Sequence, residues 1–111
     1  METTATKRIE ALYQLRGDED IFAFIDHHPF LVPLLMEAPQ IKAYFPESKL
    51  SLEMFIDPEG VGVRSIVVVI ATKLDAETAL KVLDAFDYGW WLKNLDRAEG
   101  KLDVNLESWS I

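Results

Sequence analysis

Histidines, paired carboxylates and hydroxyls are the side chains of this 111-residue chain that could do chemistry, since it contains no cysteine. The two histidines, His27 and His28, are adjacent and precede Pro29. Neighbouring side chains on a helix point about 100° apart, so the pair does not converge on one metal ion, and the ligand nearest to them is Asp26. A helix-end or turn role accounts for both. Asp84 and Asp87 stand three apart, where they could hold a cation or share a proton, but like charges at that spacing mostly mark a solvated helix face. Asp57 and Glu59 flank Pro58 beside Gly60 and Gly62 without the regular alternation of a calcium-binding loop, and a hairpin turn explains them. Ser48, Ser51 and Ser65 have no evident base and no nucleophile-elbow context. Gly60-Val61-Gly62 lacks the Lys-Ser/Thr that completes a phosphate-binding loop. No catalytic residue, metal or cofactor is expected, and the enzymatic alternative is a small-molecule or metal-assisted site built from these carboxylates beside the aromatic cluster.

That cluster is the run Asp84-Ala85-Phe86-Asp87-Tyr88-Gly89-Trp90-Trp91-Leu92, which holds four of the twelve aromatic residues. Phe86 and Trp90 continue an apolar helical stripe and are expected in the core. Tyr88 and Trp91 then point elsewhere, and Trp109 falls on the outer side of a final strand. Tryptophan and tyrosine anchor many interfaces, so Tyr88, Trp91 and Trp109 are the candidate partner-binding residues.

The elements that must position them follow from periodicity. Ile9, Leu12, Tyr13 and Arg16 predict an amphipathic helix over Thr6–Arg16 that stops at Gly17. Asp18 can cap a second helix, ended at His28 by Pro29. From Phe30 to Phe45 the spacing is helical, with a break expected near Ala38 because Pro39 cannot sit mid-helix. Leu50, Leu52, Met54 and Ile56 then alternate with polar neighbours as in a half-buried strand. After the turn residues Asp57–Gly62, Val63–Ala71 reads as a partner strand buried on both faces. Asp75 can cap a helix running to about Trp91, in which Gly89 costs on the order of 1 kcal/mol, so either the helix loosens there or another backbone approaches closely. Leu102, Val104 and Leu106 alternate in a last strand after Gly100. The expectation is one α+β domain over residues 1–111, in two layers and α-α-β-β-α-β order. In its three-stranded sheet the last strand lies either beside the second in parallel or beside the first in antiparallel register, and the all-apolar second strand favours the former, with itself at the centre.

Nineteen acids against eleven bases give a net charge of −8, which repels phosphate backbones and argues against nucleic-acid binding. The first residues carry no apolar core behind Lys7-Arg8. The longest apolar run, Ile66–Ala71, is far short of the ~20 residues of a membrane helix, so cytoplasmic residence without a membrane role is expected.

Asp57-Pro58-Glu59 after an alternating strand, Asp75-Ala76-Glu77 opening a helix, Phe86-Asp87 and Trp90-Trp91 closing it, and Gly100-Lys101-Leu102 together resemble a group of small bacterial proteins frequent in cyanobacteria. The likeness covers about Phe22 to Glu107. It implies a stand-alone cytoplasmic α+β domain of the kind often encoded beside toxin-like genes, and it carries no catalytic residue. The function expected is a non-enzymatic protein–protein contact. The protein would act either as a homodimer or as an acidic partner that neutralises or regulates a basic protein in an antitoxin-like role.

Overall fold

A computed structural model describes residues 4–56, 59 and 64–108, with the backbone course alone at residues 4–6, 18, 38 and 39. In chain order the elements are α1 (Thr4–Leu12), β1 (Gln14–Arg16), α2 (Asp18–His27), α3 (Leu31–Leu35), α4 (Ala38–Tyr44), β2 (Lys49–Ile56) and β3 (Arg64–Thr72). Then come α5 (Ala76–Phe86), a π-helical turn (Asp87–Trp91), α6 (Leu92–Ala98) and β4 (Leu102–Ser108). The α+β class holds.

The sheet has four strands in the order β1-β2-β3-β4, where three were expected. The additional strand comes from the chain read as the end of the first helix. That helix stops at Leu12, and Gln14–Arg16 pairs in parallel with β2, Leu15 opposite Leu52. Helical spacing misled here because Ile9 and Tyr13 are both inward on the helix side while Leu15 turns inward by strand alternation. The Tyr13 hydroxyl donates to the Leu35 carbonyl at 2.8 Å, which fixes the end of α1 against α3.

β2 and β3 form the expected antiparallel ladder, Leu52 opposite Val68, and β4 runs parallel to β3 with Leu102 opposite Ile66. Two parallel strand pairs, each joined through helices, therefore flank one central hairpin. The turn expected over Asp57–Gly62 lies outside the described residues, apart from Glu59. β3 is buried from Ser65 to Ile70, as its uninterrupted apolar run implies for an interior strand. The core joins Leu50, Leu52, Ile66, Val68, Ile70 and Leu102 from one sheet face to the helices, with Ile9, Ile21, Leu35, Phe45 and Phe86 among the deepest side chains.

The opposite face carries Val67 and Val69 between polar neighbours, and Arg16 reaches across it. Its guanidinium pairs with Glu53 at 3.5 Å on the adjacent strand and with Glu107 at 2.8 Å on the far edge strand. Register sets Arg16 level with Asp103, four residues before Glu107. With strands ~4.8 Å apart and a rise of ~3.3 Å per residue, a flat sheet would separate the two by roughly 19 Å. Extended Arg and Glu side chains do not span that, so the sheet is not flat and its twist brings the two ends of this diagonal together.

The break near Pro39 falls slightly earlier than expected. α3 ends at Leu35, and α4 begins at Ala38 with Pro39 in its first turn, where a missing amide hydrogen costs nothing. α2 starts at Asp18 itself, after Gly17 at φ 99°.

Candidate functional site

The helical segment from Ala76 to Ala98 is the part of the fold that carries the aromatic run. Its start is fixed by Asp75, whose carboxylate accepts from the Thr78 amide at 2.7 Å. That amide and the Thr78 hydroxyl hold the Asp75 carboxyl below its ordinary value. Helical backbone angles persist through Phe86, Asp87 and Leu92, so α5, the π turn and α6 make one rod that runs past the end expected at Trp91.

The π turn changes which aromatic faces inward. Ala79, Phe86, Trp91 and Ala98 are the buried positions, spaced seven, five and seven apart. A regular helix would have continued from Phe86 to Trp90, and the inserted residue of a π turn moves the inward position on by one. Trp91 is consequently 7% exposed and belongs to the core, which corrects its assignment as a surface anchor, while Trp90 is half-buried beside it. The three rings lie in sequence, Phe86 on Trp90 at 5.5 Å and Trp90 on Trp91 at 6.1 Å, with Tyr44 edge-on to Phe86 at 5.6 Å.

Gly89 explains why the extra residue fits. A Cβ placed there would fall on the Tyr44 hydroxyl oxygen and 3.2 Å from Tyr44 Cζ. The loosening expected at this glycine occurs, whereas the group that approaches it is the Tyr44 side chain and not the backbone expected as the alternative. Within the rod, Asn94 donates to the Trp90 carbonyl at 2.7 Å. Arg97 adds a bridge from Asn94 at 2.7 Å to Glu37 at 3.1 Å.

Turning Trp91 inward leaves Tyr88 at 74% exposure, the most exposed of the large apolar side chains among the described residues. Leu92 and Leu95 follow at spacings of four and three, the pattern of one helix face, and are 47% and 42% exposed. Asp84 stands four residues before Tyr88 and Asp96 four after Leu92, both exposed, and Glu99 ends the helix at φ 49°. Desolvation and, secondarily, the charge of Asp84 push the Asp87 carboxyl above its ordinary value. The site is thus a ridge of three apolar side chains with carboxylates at both ends. Sequence reasoning found Tyr88 and missed Leu92 and Leu95. The signal was their spacing from Tyr88, obscured by assigning the apolar stripe to Trp90.

The remaining candidates do not converge. His28 Nδ1 lies 2.9 Å from the Phe24 carbonyl, to which it donates, and its ring stacks on Phe24 at 4.2 Å. His27 is exposed at the end of α2. No group of three metal-ligating side chains occurs among the described residues. Asp57 and Trp109 lie outside the described residues. Two open grooves of about 370 and 270 Å³ meet at Thr72 and Leu74, the second extending along Leu80 and Leu106. No helix among the described residues is long and apolar enough to cross a membrane. Comparison with protein-family models, with curated proteins and with solved structures finds no match.

Proposed function

We propose that this protein is a binding module, not an enzyme, and that it acts by protein–protein contact through the ridge Tyr88–Leu92–Leu95. The observation that carries the reading is the exposure of three large apolar side chains on one face of a helix whose opposite face is anchored in the core. Exposed leucines scattered singly need no explanation, but two in a row with an outward tyrosine make a contiguous apolar patch around a residue type enriched at interface hot spots. Because buried Trp91 and Ala98 seat this segment in the core, its backbone is ordered before binding.

A metal-assisted or small-molecule reading would rest on Asp84, Asp87 and Glu59, which none of the grooves described above brings together. The likeness to the cyanobacteria-rich bacterial group belongs to the same proposal, supported by the Phe86-Asp87 and Trp90-Trp91 pairs that build this rod.

Affinity capture of the full chain from its native extract, compared with the Tyr88→Ser variant, tests the reading. A partner recovered near one-to-one with wild type and lost with the variant is the expected result. Identical recovery with both proteins overturns it.

A further inference from the structure

The ridge has a charge pattern that selects among partners. Asp84 precedes Tyr88, Asp96 follows Leu92, and Glu99 closes the rod at the negative end of the helix dipole. Of the cations on the rod, Lys81 pairs with Glu77 at 3.8 Å and Arg97 is turned to Glu37, so Lys93 is the base that borders the ridge. A second copy fits this surface badly. Antiparallel pairing centred between Tyr88 and Leu92 sets Asp84 of one copy against Asp96 of the other, and parallel pairing sets each carboxylate against itself. Both protomers also carry a net charge of −8. Like charges across an interface are disfavoured, whereas opposite charges steer encounter and fix register.

Resting on the binding-module reading, we infer that the ridge receives a cationic amphipathic helix of a different protein. Its apolar stripe would pack along Tyr88, Leu92 and Leu95, and its Lys or Arg residues would meet Asp84, Asp96 and Glu99. A ridge at helical spacing is complementary to the groove between rows of side chains on a second helix, and straight apolar helix faces are recognised in this way.

The test uses the full chain with three fluorescein-labelled 18-residue peptides: an amphipathic Leu/Lys helix, a scrambled peptide of the same composition, and the Leu/Glu counterpart. Anisotropy titration is expected to show saturable binding of the Leu/Lys helix at least ~10-fold tighter than the scrambled peptide, and no binding of the acidic one. Tyr88→Ser should weaken it by roughly 30-fold, the loss typical of a central interface anchor. Asp84→Asn with Asp96→Asn should flatten its dependence on salt between 50 and ~300 mM. Equal affinity for helix and scramble, or affinity unchanged by Tyr88→Ser, overturns the inference. So does a dimer in sedimentation equilibrium that Tyr88→Ser dissociates, which would make a second copy the occupant. If no Leu/Lys binding is seen while extract capture still yields a Tyr88-dependent partner, the inference falls and the binding-module reading stands. If capture also fails, both fall.

Discussion

Replacing Gly89 by alanine isolates the close contact between the π turn and Tyr44. In an ordinary exposed helix position the change would stabilise the fold by up to ~1 kcal/mol, because glycine is the worse helix former. Here the new methyl group would land on the Tyr44 hydroxyl oxygen. Tyr44 cannot retreat freely, since its ring stands edge-on to buried Phe86. Overpacking of this kind costs about 1–3 kcal/mol, so Gly89→Ala alone should lower stability by about 1 kcal/mol, or roughly 4 °C in Tm for a domain of this size. Tyr44→Phe deletes the offending oxygen and leaves Cζ at 3.2 Å from the new methyl group, a tight contact that a small shift relieves. In the Tyr44→Phe background, Gly89→Ala should therefore be neutral or stabilising by up to ~0.5 kcal/mol. Urea unfolding of the four proteins of this cycle measures the coupling, expected near 1 kcal/mol or above. Additivity within ~0.3 kcal/mol would refute the reasoning and show that Gly89 is not held by Tyr44.

Trp91→Ala should cost about 3–5 kcal/mol in urea unfolding and Trp90→Ala clearly less, the reverse of the ranking a regular helix would give, with equal losses contradicting the π-shifted register. Tyr13→Phe leaves the buried Leu35 carbonyl without its donor and should cost about 1–2 kcal/mol by the same assay, while burial, which pushes the phenol well above its ordinary value, keeps the wild-type group protonated throughout. The Asp75 carboxyl, lowered in the fold, contributes stability that is fully present above the unfolded value near ~3.9 and is lost as pH falls through the folded value below it. The Tm gap between wild type and Asp75→Ala should therefore be constant from pH 5 to 7 and shrink below pH ~4; a gap unchanged at pH 2.5 would contradict the charged cap.

Much of the sheet is readable from residue pattern. Alternation in Leu102–Leu106 and its absence in Val67–Ile70 correspond to one-sided and two-sided burial and set a mixed sheet with β3 inside, whereas the alternating Leu50–Ile56 is buried at Leu50, Ser51 and Leu52 together and leaves Ile56 exposed. The Asp75 cap is equally legible, because side-chain capping is a local event. β1 is not legible, since three residues carry too little periodicity to outweigh the helical spacing that precedes them. The π turn is hidden for a different reason. The neighbour of its glycine is Tyr44, far from Gly89 in the chain, and a single inserted residue reverses the roles of Trp90 and Trp91. Locating the ridge at Leu92 and Leu95 required that register, which is why Tyr88 alone could be named from sequence.

The central claim is that the face of Tyr88, Leu92 and Leu95 touches another protein in the cell. Placing a photoreactive phenylalanine analogue at position 92, and separately at exposed Phe55 and Lys49 on the sheet as controls, and irradiating living cells tests it most directly. A discrete covalent adduct from position 92 alone, abolished when Tyr88→Ser is added, is the result predicted. Adducts of equal yield from all three positions, or from Phe55 and not from Leu92, would contradict it.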